Sequence, residues 1–379
     1  YYDYNLIKFL FLLNFYFIFS SLFSENILYS LKSSLFYFRF IIFSIAVWYL
    51  LNNINKSFIK NYTIYLIILF LILSIDATYQ YANGQNIIGL KIIHSNRASS
   101  FFSDQLVLGS FQSRLLILIL GLFIAFKVFK KNIIILNIFL LFTCASIFLS
   151  GERTSFALFV ISLVLFLFLT KISVKFKLSI ITSIALIFLI LLTDKGIRYR
   201  LIIEPLHQSN LASEKLIKNY SDQKKIYVHE DNKILIFSKE HTAHYKTAYK
   251  IFLGNKLFGV GPKMFRYKCS NKEYNSGNLS CSTHPHNFLL QVLAETGIIG
   301  LIFYLVMIFF IINKMLIIFR KNNSNNDFIQ LCCLILFFIN LFPLLPSGNI
   351  FNNWLSIIFY FPLGFYLHAL NQKKEQKYI

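Results

Sequence analysis

A series of long apolar runs constrains this chain more than any other feature. Segments of about 17 to 20 apolar residues are long enough to cross a bilayer as helices. The 379 residues contain ten apolar runs at or near this length, one of them longer, at 6–24, 34–51, 61–76, 115–129, 133–149, 154–170, 178–192, 287–313, 327–342 and 350–369. The sequence therefore predicts an all-α polytopic membrane protein with about ten transmembrane helices.

Composition and patterning favour helices over a membrane barrel. Charged residues make up 14% of the chain and the mean hydropathy is +0.61, whereas about a quarter of a soluble domain is charged. The runs lack the alternation of a barrel strand, and in lipid each backbone group must be bonded within its own segment. Because the chain opens without Met and enters its first run almost at once, we expect one or two further spans before Tyr1.

The basic residues alternate along the chain in a way that predicts its orientation. Lys and Arg cluster after the even-numbered runs, at Lys56, Lys60, Lys127, Lys130, Lys131, Lys171, Lys175, Lys177, Lys314, Arg320, Lys321, Lys373, Lys374 and Lys377. The short turns after odd-numbered runs carry few. By the positive-inside rule both ends of the chain are cytoplasmic, and loops 77–114 and 193–286 face the periplasm. The net charge of +21 then reflects topology and contact with membrane lipid, and we predict no nucleic-acid partner.

The long loops divide the chain into three predicted regions. Helices and loop 77–114 occupy 1–192, the large loop is 193–286, and further helices occupy 287–379. The large loop holds sixteen Lys and Arg against eight Asp and Glu, and its stretch 243–253 has helical spacing. Such a basic loop suits an anionic substrate such as a diphosphate-linked lipid. A solvated basic face near anionic head groups explains the charge equally well.

The five cysteines are too few for a disulfide framework. Cys144, Cys332 and Cys333 lie in apolar runs and are predicted to be packing residues. Cys269 and Cys281 both lie in the large loop, where an oxidising compartment would allow a disulfide between them. That bond would staple the chain just before His284 and His286.

The most informative stretch is 283–291, where two histidines flank a proline as the loop re-enters the membrane. Asn287 is placed to cap the following helix, with Gln291 and Glu295 on one face of it. His286 would then lie at the positive end of a helix, which disfavours its protonated form. A neutral imidazole there can act as a general base, although a histidine at a helix start is more often an ordinary interfacial residue.

Four segments together carry a family resemblance. His286-Asn287, nine residues, Gly297, two residues and Gly300 reproduce the pattern His-(Asn/Ser/Gln)-x9-Gly-x-x-Gly of the O-antigen ligase and polymerase family. Segment 255–262 resembles the Gly-x-Gly segment that precedes this signature, and 150–155 resembles the family's periplasmic arginine segment. Segment 97–114 resembles the first periplasmic loop of a polymerase-like branch. The similarity spans residues 90–300.

One position departs from the family pattern. Members often carry an arginine about four residues before an aromatic residue that opens the helix leading to the Gly-x-Gly segment. With Tyr245 as that aromatic residue, the position is His241. Phosphate binding would then fall to Arg198, Arg200, Lys246 or to protonated His241.

The resemblance implies a fold similar to C-type glycosyltransferases and an inverting, metal-independent glycosyl transfer in the bacterial inner membrane. The donor would be a glycan on undecaprenyl diphosphate, and the acceptor a hydroxyl of lipid A core or of another lipid-linked glycan. His286 would be the base and Arg153 would stabilise the leaving diphosphate. His284, Arg97 and Arg114 would contact substrate. No cofactor and no metal site is expected, since no cluster has metal-ligand spacing.

Several activities share these features. Ligase and polymerase use the same motif, and the first-loop similarity favours polymerase slightly. A protein-glycosylating oligosaccharyltransferase is a third enzyme. A polysaccharide flippase or transporter would also be polytopic, but it should place ionisable groups near the bilayer midplane. Here the charges crowd the loops instead.

Overall fold

The structure is a computed structural model that describes residues 2–93, 97–208, 237–321 and 324–375. The described residues form helices and no strand. In chain order, the first eight helices are α1 (Tyr2–Ser21), α2 (Ile27–Ser34), α3 (Phe38–Asn53), α4 (Lys56–Asn83), α5 (Leu108–Ala125), α6 (Ile133–Leu149), α7 (Arg153–Leu169) and α8 (Val174–Leu191). The rest are α9 (Lys195–Arg198), α10 (Glu204–Gln208), α11 (Lys239–Gly254), α12 (Phe265–Lys268), α13 (Phe288–Lys321), α14 (Asn325–Asn340) and α15 (Asn353–Glu375).

Each of the ten apolar runs coincides with a helix. Among the described residues, five helical segments are long and apolar enough to cross a membrane, at Ile27–Asn53, Lys56–Asn83, Leu108–Ala125, Val174–Leu191 and Phe288–Lys321. Four shorter apolar helices accompany them, at Asn5–Ser21, Ile133–Leu149, Arg153–Leu169 and Asn325–Asn340. The chain is thus an all-helical, multi-pass membrane protein, whereas the count of ten spans, the orientation and the three-region division stay predictions.

Local sequence explains where the helices begin. Asn55 accepts a hydrogen bond from Phe58 N at 2.9 Å and so caps α4, and Asn132 caps α6 through Ile134 N at 2.9 Å. These side chains satisfy amides that have no partner inside the helix. α4 ends at Gly84, whose positive φ of 76° closes the last turn.

The helices group into two compact units, and each is described by itself. In the unit formed by 54–236, a polar triad links three helices. Gln112 of α5 donates to Ser74 Oγ of α4 at 3.0 Å and accepts from Ser146 Oγ of α6 at 2.5 Å. All three residues are fully buried. Interhelical hydrogen bonds of this kind fix neighbouring helices where no hydrophobic force holds them together.

The other unit joins 1–53 to 237–379. α3 packs closely on α15, because Ser44 Oγ donates to the Tyr360 carbonyl at 2.7 Å and Gly364 approaches Val47. A Cβ built on Gly364 would lie 2.4 Å from Val47 Cγ1, so the contact requires glycine. Small residues at such crossings let helix backbones approach one another.

A kink at Gly297 organises the second unit around α13. Gly297 has φ 65° and ψ −163°, which interrupts the helical hydrogen bonds. The amide of Ile298 donates to the Lys256 carbonyl at 2.8 Å instead of to Ala294. The freed Ala294 carbonyl accepts from Val260 N at 3.1 Å. Segment 255–262 is therefore bonded to the kink through its backbone.

We predict that Gly297→Ala destabilises the protein strongly. Its Cβ would lie 2.3 Å from the Leu257 carbonyl oxygen, and alanine also disfavours this backbone conformation. Together these effects should cost about 3 kcal/mol or more. The control Gly277→Ala has φ 115° but nothing within 4 Å, so it carries only the backbone cost. Thermal unfolding in detergent should show a clearly lower Tm for Gly297→Ala than for Gly277→Ala. Equal shifts would contradict the interlocked packing.

Candidate functional site

His286 lies immediately before α13 and its backbone is held on both sides. Asn287 caps the helix, because its Oδ1 accepts from Leu290 N at 3.0 Å, which confirms the predicted cap. The Asn287 amide also donates to the Pro343 carbonyl at 2.8 Å. The His286 carbonyl accepts from Ser347 N at 2.9 Å. His286 itself has φ 55°, an uncommon conformation that these contacts maintain.

Four imidazole rings meet around this residue and form what we name the histidine cluster, consisting of His241, His244, His284 and His286. The ring centroids of His284 and His286 are 4.0 Å apart. His244 stacks on His286 at 5.3 Å, and His241 lies 5.6 Å from His286. Among the described residues, no group of three or more His, Cys, Asp or Glu side chains is arranged so that it could hold a metal ion.

The buried position of the cluster keeps its central rings neutral. Burial is the largest cause that lowers the pKa of His286, to about 3, and repulsion from His284, His241 and His244 lowers it further. Burial likewise lowers the pKa of His284 to about 4, against a hydrogen bond to Ser347 that raises it. Burial also lowers the pKa of His244. Desolvation and like charges both disfavour an imidazolium, so His286 is an unprotonated base at neutral pH.

Helix α11 supplies half of the cluster. Ser238 caps it through His241 N at 3.2 Å, and the positions His241, His244 and Tyr245 are then neighbours on one side of the helix. Tyr245 donates to the His286 carbonyl at 3.4 Å, and burial raises the pKa of its phenol to about 12. His241, at the position where the family resemblance predicts an arginine, thus contributes an imidazole ring beside His286. Lys246 is exposed.

The segment that joins 255–262 to His284 and His286 is held by a disulfide and an ion pair. Cys269 and Cys281 form a disulfide. Lys268 pairs with Glu25, which lies in the turn between α1 and α2. Arg266 on α12 exerts its charge on both His284 and Glu295. A permanent cation therefore lies within electrostatic range of the histidine cluster, in the same unit.

Glu295 connects α13 to this segment. It is fully buried, accepts from Phe265 N at 3.1 Å and accepts from Gln291 Nε2 at 2.9 Å. The Gln291 side chain also donates to Asn349 Oδ1 at 3.0 Å. The predicted position of Gln291 and Glu295 on one helix face is confirmed by the bond between them. The bond from Phe265 N to Glu295 fixes the start of α12.

Three arginines of the other unit form a second group, which we name the arginine cluster: Arg97, Arg153 and Arg200. Arg97 Nε donates to the Ser150 carbonyl at 3.0 Å, and Arg200 Nε donates to the Gly151 carbonyl at 3.4 Å. The two guanidinium groups thus flank one turn of backbone. Burial, followed by repulsion from Arg200, lowers the pKa of Arg97 to about 10. Arg97 therefore remains cationic at neutral pH.

Acidic and amide groups hold the arginine cluster in place. Arg153 Nη1 donates to Gln208 Oε1 at 2.8 Å. Arg200 pairs with Glu204 at 2.7 Å. Glu152, between Gly151 and Arg153, accepts from Gly109 N at 2.8 Å and so caps α5. The turn that carries the arginines is thereby fixed to a second helix.

Two further predicted arginines take other positions in the same unit. Arg114 is buried within α5 and donates to the Ser110 carbonyl at 3.3 Å. Arg198 is half-buried on α9. Three of the predicted cations therefore gather at the turn formed by Ser150 and Gly151: Arg97, Arg153 and Arg200.

Sequence reasoning missed three residues of the histidine cluster and its surroundings. His244, Ser282 and Arg266 all contact or influence the predicted histidines. His244 could have been found three residues after His241, one helical turn along α11. Ser282 and Arg266 are ordinary loop residues in a basic, serine-containing stretch, and nothing in their spacing distinguishes them.

The apolar helices define the class of the chain, a multi-pass helical membrane protein. Residues 138–305 then match the family model described as O-antigen ligase. This match agrees with the family resemblance of the motifs, and the matched region includes the whole histidine cluster, Arg153 and Arg200. The comparison with curated proteins gave no match.

We predict that His286 stays neutral far below the usual pH range of histidine. Its pKa falls from 6.5 to about 3 on folding, so between these pH values the unfolded chain binds a proton that the folded chain does not. The free energy of unfolding should therefore decrease as the pH falls through this window. Titration of ¹⁵N-histidine-labelled protein by NMR measures the pKa directly, and His286→Asn identifies the signals. In His284→Asn the pKa of His286 should rise, because its nearest repelling ring is gone. An inflection of the His286 signals near pH 6.5 in the wild type would contradict the account.

Proposed function

We propose that this protein is a periplasmic-face glycosyltransferase of lipopolysaccharide-type biosynthesis. It transfers a glycan from undecaprenyl diphosphate to a sugar hydroxyl of lipid A core or of a second lipid-linked glycan. The family match supports glycan ligation in general. One observation carries the rest of the proposal: His286 is held before the cap of α13, inside the matched region, in surroundings that keep it unprotonated.

In the proposed reaction the acceptor hydroxyl attacks the anomeric carbon of the donor. The new carbon–oxygen bond forms as the bond to the diphosphate oxygen breaks, and the configuration at that carbon inverts. His286 takes the hydroxyl proton, and the diphosphate leaves with the bonding electrons. The low pKa keeps the His286 imidazole unprotonated at neutral pH. The acceptor hydroxyl becomes acidic as its bond to carbon forms, which allows a weak base to take its proton.

Guanidinium groups stabilise the departing diphosphate in this proposal. Arg153 is the principal candidate, with Arg97 and Arg200 beside it in the arginine cluster. Fixed cations aimed at developing phosphate charge lower the barrier without needing a metal ion. Gln208 and Glu204 orient Arg153 and Arg200, which leaves less reorganisation for substrate binding. Arg198, Arg114, His241 and Lys246 remain weaker candidates for substrate contact.

Arg266 is a further candidate cation in the unit that holds His286. Its charge acts on His284 and Glu295, close to the ring that would take the proton. We infer that it binds a phosphate oxygen of the substrate, the role that an arginine at position 241 would fill in other family members.

The distribution of Lys and Arg supports a location in the bacterial inner membrane with the site facing the periplasm. The family description favours ligation, whereas the resemblance of 97–114 to a polymerase loop favours polymerisation. Both reactions would use the same donor and the same base. The length of the glycan attached to lipid A core distinguishes them.

We predict that His286→Ala abolishes glycan transfer. Loss of a positioned general base should reduce the rate by roughly 100-fold to 10,000-fold. The test complements a deletion strain of the host with wild type or variant and separates its lipopolysaccharide on a gel. Absence of glycan on lipid A core indicates a ligase, and single-repeat caps indicate a polymerase. The control His368→Ala removes a histidine outside the cluster, bonded to Asn52 at 2.7 Å, and should complement. Full complementation by His286→Ala at wild-type protein level would overturn the base assignment.

We predict that Arg153→Ala weakens both donor binding and turnover. Removing a charge-assisted hydrogen bond costs about 1.5 to 3 kcal/mol, equivalent to roughly 10-fold to 100-fold in kcat/KM. Arg153→Lys keeps the charge without the planar fork and should recover activity only in part. The measurement is transfer by purified protein at varied lipid-diphosphate donor concentration, with Arg320→Ala, an exposed residue of α13, as the control. Unchanged kinetics in Arg153→Ala would remove this residue from the mechanism.

A further inference from the structure

The hydroxyl of Ser282 lies between the two histidines of the signature segment. Ser282 Oγ is 3.0 Å from the His284 carbonyl oxygen and 2.9 Å from His286 Nε2. The His284 amide points at the same oxygen, at 3.5 Å. A serine hydroxyl has one proton to donate and two lone pairs that can accept. The three contacts use that capacity completely.

Only one assignment of protons satisfies these contacts. A carbonyl oxygen can accept but never donate, so the Ser282 proton goes to the His284 carbonyl. The Ser282 oxygen must then accept from His286, which places the proton of the neutral imidazole on Nε2. The remaining ring nitrogen, Nδ1, carries the lone pair. No group in the described part of the chain hydrogen-bonds that Nδ1.

We propose that Ser282 is a positioning residue that holds His286 in its Nε2–H tautomer, so that Nδ1 is the atom that takes the acceptor proton. This inference rests on the proposed function for the role of the proton, but the tautomer itself does not depend on it. The geometry also explains why the ring needs no rearrangement during the reaction. When Nδ1 gains a proton, Nε2–H continues to donate to Ser282 Oγ.

Neighbouring contacts fix Ser282 and exclude His284 as the base. The Cys269–Cys281 disulfide anchors the residue just before Ser282. His284 uses both ring nitrogens: Nε2 lies 3.1 Å from the Ser347 carbonyl and Nδ1 lies 2.9 Å from Thr283 Oγ1. By the same reasoning Nε2 of His284 donates and Nδ1 accepts from the threonine hydroxyl. His284 therefore has no free lone pair for a substrate proton.

The tautomer can be measured without any activity assay. In protein labelled with ¹⁵N-histidine, the two ring nitrogens of His286 give separate resonances for protonated and unprotonated nitrogen. We expect a protonated Nε2 and an unprotonated Nδ1 in the wild type at neutral pH, with the signals assigned by their loss in His286→Asn. In Ser282→Ala the two tautomers should mix. A wild-type Nδ1–H tautomer, or an unchanged spectrum in Ser282→Ala, would overturn the proposal.

Kinetics provide the second measurement. Ser282→Ala should lower kcat about tenfold with little change in KM for either substrate, since one hydrogen bond to the base is lost and no substrate contact. Ser282→Thr keeps the hydroxyl and should restore most of kcat and the wild-type tautomer. Ser270→Ala removes an exposed hydroxyl from the same loop and serves as the control. A rise in KM without loss of kcat would instead make Ser282 a substrate contact and contradict the positioning role.

The two proposals fail in different ways. If His286→Ala retains full transfer, His286 is not the base and the proposed function fails at that step, whatever the tautomer. If His286 is essential but Ser282→Ala has wild-type kcat and spectrum, the base assignment stands and the role of Ser282 is wrong. Thermal unfolding of Ser282→Ala and Ser282→Thr identifies a variant that merely fails to fold, and the threonine variant then decides the question.

Discussion

The exchange of backbone hydrogen bonds at the α13 kink is the interaction on which the histidine cluster depends. Within an apolar helix an unpaired amide or carbonyl is costly. The kink at Gly297 frees such groups, and segment 255–262 satisfies them through Lys256, Val260 and Gly261. The Phe265 amide extends the attachment to the Glu295 carboxylate. Segment 255–262 and Phe265 are therefore fixed to α13. The chain continues from there through the Cys269–Cys281 disulfide to Ser282, and His286 lies just before α13.

Burial has opposite chemical consequences in the two clusters. An imidazole titrates near neutrality, so desolvation and three neighbouring rings are sufficient to keep His286 unprotonated. A guanidinium has so high an intrinsic pKa that the same desolvation leaves Arg97 charged, with a pKa of about 10. The histidine cluster is thus suited to accept a proton and the arginine cluster to bind an anion. The residue types decide this division, because the surroundings shift both pKa values in the same direction.

Local sequence predicted those parts of the structure that depend on neighbours in the chain. Each of the ten apolar runs coincides with a helix, and the spacing around Asn287 predicted the cap and placed Gln291 and Glu295 on one helix face. The contacts of Ser282 and the charge of Arg266 on His284 arise only when the loop folds back on α13. The spacing of residues along the sequence does not predict contacts of this kind. The number of membrane spans does not follow from hydropathy for a related reason. Several apolar helices are shorter than a bilayer requires, so packing determines which of them cross it.

The histidine at position 241 changes the electrostatics of the base. An arginine there would hold a permanent charge near His286, whose ring lies 5.6 Å from that of His241, and would make the base harder to protonate. A histidine carries no permanent charge, and here its ring packs against the cluster from α11. A phosphate contact must then come from elsewhere. Arg266, whose charge reaches His284 and Glu295, can supply it from the neighbouring segment of the same unit. The departure from the family pattern is therefore consistent with a relocated cation and a less repelled base.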